Sequence, residues 1–503
     1  MCIAHGILGV LYMSELKTKT LYGFIWALLE RFGVQFVSFG VSLVLARLLT
    51  PSDYGAVAIL LIFIAIAEIL ASAGFGTALV QKKDALPIDF NTVFCISMSA
   101  SAVLYIALFL LAPRIAQFFR HPDLVTLFRV QAIALFFHAF AGIQNAEISR
   151  RMLFKLSFRI GIMTCVISSV VGLSCALLGL GPWALVWMTF SSAASGIVIK
   201  LFVCEWKPRL EFSSHAAIGL WRYGWKLAAS SLLDRIYNNL YGFLIGRFYS
   251  SEDLAFVNKG RSSPALAMNA LNGTICRVAF PVLVKLQSNP ILLREAMRKL
   301  MRTSTFVVFP AMIGLGACAQ SLIPLLFGEQ WVPSVVYVQL ACFDFALYPF
   351  HTINLQGVKA IGRSDWFLLL EIIKKVLGIS LILASIRYGV FAMMLVSACV
   401  DGPLCVLINA WPNRRLLAYS IDMQVRDALP AASISMIMGM IIFPLNWVCL
   451  PGWLIVLMQL PLGFITYFLL AWLFRLDSLT ELLRLISPIV SQLNIQYRFI
   501  KKT

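Results

Sequence analysis

Two segments of this 503-residue chain put charge where hydrocarbon is expected. Leu28-Leu29-Glu30-Arg31-Phe32-Gly33-Val34-Gln35 and Leu232-Leu233-Asp234-Arg235-Ile236-Tyr237-Asn238-Asn239 each carry an acid, an arginine, and an amide four residues beyond the arginine. Such an arginine either meets an anionic ligand or pairs with an acid as a gate or structural bridge. A charge near the middle of a spanning helix costs roughly 2.5 to 3.5 kcal/mol on insertion scales. Neighbouring positions on a helix diverge by about 100°, so Glu30 is poorly aimed to neutralise Arg31, and Asp234 to neutralise Arg235. Repetition of this cost marks two related halves around a wet interior. Glu68, Asp344 and Asp401 are further acids in apolar stretches and, with Glu30 and Asp234, are candidates for ion coupling or gating. Glu371 has Lys374 and Lys375 at i+3 and i+4, which reads as a structural cluster.

The elements that position these groups are membrane spans. The chain is 60% hydrophobic and only 13% charged, against about 25% charged in soluble domains. Crossing a hydrocarbon layer about 30 Å thick takes about 20 apolar residues. Fourteen such segments are expected: 23–48, 55–80, 91–112, 126–148, 160–180, 182–203, 219–247, 254–283, 303–326, 333–356, 366–386, 389–411, 428–450 and 453–474. The seventh and eighth carry the most charge. The fold class is therefore an all-α polytopic membrane protein of about 14 transmembrane helices.

The net charge of +18 follows the positive-inside rule rather than the pattern of a nucleic-acid binder. With a cytoplasmic N-terminus, twenty-six lysines and arginines fall on the inner side, among them Lys82, Lys83, Arg150, Arg151, Lys200, Arg294, Arg298, Arg302, Arg414 and Arg415. Arg47, Arg114, Arg120, Arg247 and Arg387 are the five on the outer side. The eleven cysteines show no metal or disulfide spacing and read as small buried hydrophobes. His121, His138, His215 and His351 read as isolated. No metal site or cofactor is expected. Met1–Met13 lacks a basic n-region and a cleavage site, and Met13 is the expected start of translation.

The duplication extends beyond the arginines. Ala46-Arg47-Leu48-Leu49-Thr50-Pro51-Ser52-Asp53-Tyr54-Gly55-Ala56-Val57 aligns with Gly246-Arg247-Phe248-Tyr249-Ser250-Ser251-Glu252-Asp253-Leu254-Ala255-Phe256-Val257. Arg129-Val130-Gln131 matches Tyr337-Val338-Gln339, and Gly181-Pro182-Trp183 matches Gly389-Val390-Phe391. All matches run in the same direction, which predicts a parallel repeat about an axis along the membrane normal. The expected divisions are a lead over 1–20, an N-lobe of six helices over 21–205, a C-lobe of six over 206–415, a helix pair over 416–476 and a tail over 477–503.

Several of these segments also carry a family signature. The run 46–55, Gly76-Thr77-Ala78-Leu79-Val80-Gln81-Lys82-Lys83, Gly181-Pro182-Trp183-Ala184-Leu185-Val186, Ile245-Gly246-Arg247 and Phe327-Gly328-Glu329-Gln330-Trp331 resemble the polysaccharide transporters of the MOP superfamily, the Wzx-type flippases. The resemblance covers about residues 20 to 480. It departs at Asn258-Lys259-Gly260-Arg261, which keeps the basic character and loses an aromatic. It implies two six-helix lobes plus a terminal pair, a bacterial inner membrane, cytoplasmic termini, and transfer of undecaprenyl-diphosphate-linked oligosaccharide to the outer leaflet. A polysaccharide polymerase and other assembly proteins are the implied partners beside substrate and membrane lipid; nucleic acid is not one.

For such a substrate Arg31, Arg235, Lys259 and Arg277 are the candidate pyrophosphate cations, and Gln35, Asn238 and Asn239 the candidate sugar contacts. Guanidinium binds phosphate oxygens bidentately. Arg31 stands about nine residues into the first span, roughly 14 Å deep. Lys259 and Arg277 lie five helical turns apart on one face, with Arg261 aimed elsewhere. Gly357-Val358-Lys359-Ala360-Ile361-Gly362-Arg363-Ser364 imitates a phosphate loop without the strand that loop needs, and Asn272-Gly273-Thr274 is a glycosylation sequon inside a span. The alternatives are a cation-coupled multidrug exporter of the same superfamily, a lipid II flippase, and a membrane glycosyltransferase or polymerase. The last would need catalytic residues on long outer loops, and the longest expected here, Pro113–Val125, gathers no acid pair. The chain is not expected to be an enzyme.

The charge pattern fixes a topology that fusions can test. Alkaline phosphatase joined after Asp53 or Glu329 is expected to be active, and after Lys83 or Arg415 inactive; the reverse pattern, or activity on both sides, rules out the fourteen-span arrangement.

Overall fold

The computed structural model describes residues 33–82, 84–151 and 153–480. Every regular element among them is helical. They are α1 (Gly33–Leu48), α2 (Pro51–Ser72), α3 (Phe75–Gln81), α4 (Pro87–Phe118), α5 (Leu124–Ala132), α6 (Ala134–Arg150), α7 (Phe154–Leu177), α8 (Trp183–Val203), α9 (Ser214–Phe248) and α10 (Ser251–Lys285). After these come α11 (Pro290–Phe327), a 3₁₀ turn (Glu329–Ser334), α12 (Val335–Ala346), α13 (Tyr348–Ala360), α14 (Ser364–Ser385), α15 (Val390–Val396), a π turn (Ser397–Asp401), α16 (Gly402–Leu417), α17 (Ile421–Ile442) and α18 (Gly452–Leu473). Among the described residues, ten helical segments are long and apolar enough to cross a membrane. They are α2, α4, α5–α6, α7, α8, α11, the 3₁₀ turn with α12–α13, α15–α16, α17 and α18. This is a multi-pass membrane protein. The charge-rich segments expected as spans seven and eight are each one helix of 35 residues.

Local chemistry sets the helix ends. Thr50 caps α2: its hydroxyl accepts from the Asp53 N–H at 3.2 Å while the Asp53 carboxylate accepts from the Thr50 N–H at 2.9 Å. Pro51 occupies the first helical position, where its missing donor costs nothing. Ser250 and Asp253 repeat the arrangement at α10, at 3.0 and 3.3 Å. The aligned glycines Gly181 and Gly389 both take positive φ, +55° and +99°, in the turns before α8 and α15.

Two departures from the sequence reading have simple causes. The second expected span breaks after α2, where Ala73 and Gly74 turn left-handed. The outer loop expected over Pro113–Val125 shrinks, because α4 absorbs Pro113 and runs on to Phe118.

The chain forms two compact units, 1–255 and 256–503. The first therefore includes α9, which the repeat in sequence assigns to the second half. Packing explains this. Gly224 of α9 backs onto the Ala73–Gly74 turn, and Gly55 of α2 lies so close to the start of α10 that a Cβ there would sit 1.8 Å from the Ser251 carbonyl oxygen. The core of this unit joins Phe75, Leu79, Phe90, Phe140, Ile143 and Trp206. Polar bonds close one end of it: Lys82 Nζ reaches both Asp89 carboxylate oxygens at 2.8 Å, Trp206 Nε1 donates to Asn91 Oδ1 at 2.9 Å, and Arg151 meets Glu205 at 2.6 Å. That last bond holds the Glu205 carboxyl below the usual carboxylate range.

In the second unit α11 packs along α17 and α18. Tyr467 donates its hydroxyl to the Phe306 carbonyl at 2.7 Å. Asp427, almost fully buried, accepts from Arg298 Nε at 3.0 Å, Arg302 Nε at 2.8 Å and the Tyr419 hydroxyl at 3.1 Å. The glycine-rich stretch 357–364 is the end of α13 and its turn, with Gly357 pressed on Met297. It has no strand before it and is no phosphate loop.

Gly55→Ala is expected to destabilise by about 1 to 3 kcal/mol or more, the cost of overpacking, and to lower membrane abundance. Gly40→Ala, where a Cβ meets nothing within 4 Å, is the control; equal abundance of the two variants would refute the close approach of α2 and α10.

Candidate functional site

Glu30 and Arg31 lie outside the described residues. Gln35 is exposed on α1. Asp234, Arg235 and Asn238 are exposed on α9, and Asn239 is half-buried, donating from Nδ2 to the Arg235 carbonyl at 2.8 Å. The duplicated amide thus serves, on α9, to bond its own helix one turn back. On α10, Lys259 is buried, its ammonium 4.0 Å from the Phe327 ring centre and 5.4 Å from that of Trp331. The side chain of Arg277 lies outside the described part of the structure.

The first unit contains a cavity of about 590 Å³ walled by α1, α2, α5, α6, α7 and α8. Its lining is mixed in charge. Glu68 of α2 meets His138 of α6, Oε1 to Nε2, at 3.1 Å. His138, isolated in sequence, thus meets an acid 70 positions away. Thr189 of α8 donates to Gln131 Oε1 at 3.0 Å, so the glutamine aligned in the repeat faces this cavity. Lys200, counted by sequence among the inner-side charges, is buried near the end of α8 and donates to Asn145 Oδ1 at 2.7 Å. Ser38, Ser157, Thr164 and Ser192 add hydroxyls. Such a lining can hold sugar hydroxyls or water, and its Glu–His pair can bind and release a proton.

The polar interior of the second unit centres on Asp344. Arg261 Nη2 approaches Asp344 Oδ2 at 3.4 Å. Arg261, which the spacing argument set aside from Lys259, thus meets an acid. Asp401 closes the π turn beside it, and the next residue, Gly402, brings its backbone against the Asp344 carboxylate: a Cβ there would lie 3.3 Å from Oδ1. Lys374 bonds Glu371 at 2.6 Å, as the i+3 spacing predicts. Asn272 accepts from the Thr352 hydroxyl at 2.6 Å, so the sequon asparagine is an internal acceptor. Among the described residues no group of three or more His, Cys, Asp or Glu could hold a metal ion.

The profile of the family described as polysaccharide biosynthesis protein matches residues 44–336, more than half of the chain. The chain belongs to this family. WzxC, a lipopolysaccharide biosynthesis protein of Escherichia coli K12, is 25% identical over 336 residues, 65% of this chain and 67% of WzxC. The succinoglycan biosynthesis transport protein ExoT of Rhizobium meliloti is 23% identical over 408 residues, 80% of each chain. The solved structure of the lipid II flippase MurJ in its inward closed conformation superposes with a TM-score of 0.70 at 14% identity, covering 90% of this chain and 99% of that one. At that identity the likeness is one of fold.

If the cavity of the first unit is wetted, as its lining requires, a cysteine at Ser192 in an otherwise cysteine-free chain reacts with 2-aminoethyl methanethiosulfonate about tenfold faster, or more, than a chain retaining only Cys318, which is buried in an apolar cluster. Equal rates would mean a dry cavity.

Proposed function

We propose that the chain is a flippase moving undecaprenyl-diphosphate-linked oligosaccharide from the cytoplasmic to the outer leaflet of the bacterial inner membrane, for assembly of a surface polysaccharide. Membership of the polysaccharide biosynthesis family carries this reading, and the fold shared with a lipid flippase supports it. The spans number fourteen: the ten apolar ones together with α1, α9, α10 and α14. Both termini are cytoplasmic, and a polysaccharide polymerase receives the product. The twin capping boxes Thr50/Asp53 and Ser250/Asp253 and the twin left-handed glycines support a parallel repeat of six helices, 21–205 and 206–415, followed by a pair.

The substrate's pyrophosphate needs cations in a low-dielectric setting, and Arg31, Arg235, Lys259 and Arg277 remain the proposed set. Arg235 is supported by its exposure on α9. Gln35, Asn238 and Asn239 are proposed for sugars, and Glu30, Glu68, Asp234, Asp344 and Asp401 for gating or coupling. A site built on Arg31, Arg235, Lys259 and Arg277 would repel the cationic substrates of multidrug exporters.

Loss of the gene is expected to abolish surface polysaccharide and leave its lipid-linked precursor in the inner leaflet; normal polysaccharide would refute the reading. Arg235→Ala should lower export about tenfold at near-normal abundance, with Arg235→Lys recovering part of it, because charge is kept and the bidentate fork lost. Recovery of both abundance and export in the exchange Arg31→Asp with Asp234→Arg would identify a structural bridge instead.

A further inference from the structure

Asp401, Cys405, Asn409 and Asn413 stand four residues apart along the π turn and α16. That interval keeps side chains on one helix face, so they form a stripe about 18 Å long. Opposite it, α12 and α13 carry Asp344, Tyr348, His351 and Asn354, and α13 packs directly on α16.

The two stripes interlock. Cys405 Sγ donates to Asp401 Oδ1 at 3.6 Å. Asn409 Nδ2 lies 3.1 Å from His351 Nδ1. Asn413 Nδ2 donates to Asn354 Oδ1 at 2.7 Å, and Asn354 Nδ2 donates to Gln424 Oε1 at 2.7 Å. Gln424 Nε2 continues to the Tyr419 carbonyl at 3.3 Å, and the Tyr419 hydroxyl ends on Asp427. Asn354, Asn409, Asn413 and Gln424 are all fully buried. A row of polar side chains, bonded in separate groups, therefore runs through the apolar second unit from Arg261–Asp344 to Asp427.

Two atoms in the seam are unmet. The Oδ1 oxygens of Asn409 and Asn413 are buried and accept no hydrogen bond from the described residues. Unmet acceptors are costly in a core, and paired ones on a single stripe are sites for a mobile O–H donor. The titratable groups facing the acids are Arg261 from α10, Tyr348 and His351 from α13, Glu371 and Lys374 from α14, and Cys405 from α16. An arginine in contact with Asp344 fills the place an alkali ion would need, while a proton adds no volume and can be taken up as the ion pair opens.

We propose that this seam is a proton path joining the Asp344–Asp401 pair to the Tyr419–Asp427 end of the second unit. Water held at Asn409 and Asn413 passes the proton along, with His351 as the titratable step. On arrival an O–H bond forms on one carboxylate as the last water's O–H bond breaks, and the neutralised Asp344 releases Arg261. The inference rests on the transport reading and adds the coupling ion and its route.

The test uses the full-length protein in liposomes enclosing a pH-sensitive dye, with a potassium diffusion potential set by valinomycin and undecaprenyl diphosphate as the probe lipid. Cys405→Leu, Asn409→Leu and Asn413→Leu block the stripe at three heights, and each is expected to lower proton entry about tenfold. Asn409→Ser, which keeps a small acceptor, retains most of it. A correctly inserted block that conducts like the unaltered protein overturns the path. If none of the blocks inserts, Asp344→Asn, which keeps the side-chain shape, decides: unchanged proton entry overturns the path, and loss of entry supports it. Movement of the probe lipid between leaflets is read in the same vesicles. Lipid movement without proton entry, or with sodium alone as the driving ion, overturns the path and leaves the flippase reading standing. Movement of neither overturns the transport reading itself, and the path with it.

Discussion

Hydrocarbon offers no partner to a polar group, and this constraint decides the architecture. Each backbone N–H and C=O inside the layer must be met within its own segment, so the described chain is helical throughout. Every charge retained in a span must be met by another side chain, by a cavity or by ligand. The apolar surface is cheap to place in lipid; the polar side chains are what determine which helices belong together. Glu68 reaches α6 through His138, Arg261 reaches α12 through Asp344, and Asp427 gathers α11 and the turn before α17. Removing one partner of such a contact leaves the other uncompensated in low dielectric.

The two units meet this constraint differently. The first encloses a cavity whose charges face a common space, with α9 locked on by backbone contacts that tolerate no Cβ. The second is threaded by a seam in which amides and one imidazole are bonded between α13, α16 and α17. Sequence order and packing therefore answer separate questions: capping boxes repeat with the sequence, while α9 is held where its glycine meets another turn.

Much of this is legible in the sequence. Composition fixed the class, apolar run length located the helices, and the Thr50/Asp53 and Ser250/Asp253 matches carried their own physical reason in the capping box. Less visible were contacts between helices distant in sequence. His138 looks solitary because Glu68 is 70 positions away and nothing local announces it. The four-residue spacing of Asp401, Cys405, Asn409 and Asn413 was readable, yet three of the four are uncharged and pass as incidental in an apolar run. Face arithmetic along α10 says which side Arg261 takes and not which helix stands there.

The clamp at Asp427 also has a history in time. Its arginine partners, Arg298 and Arg302, precede it by 129 and 125 residues. At about 5 to 20 residues per second of synthesis, those arginines are made on the order of ten seconds before the carboxylate that joins them. Until then α11 has neither its anion nor the flank of α17, while all of the first unit has already left the ribosome. The second unit is therefore completed from its C-terminal end, and a ribosome stalled between residues 302 and 427 leaves Arg302 without Asp427 and Arg298 with Glu295 of its own helix in its place.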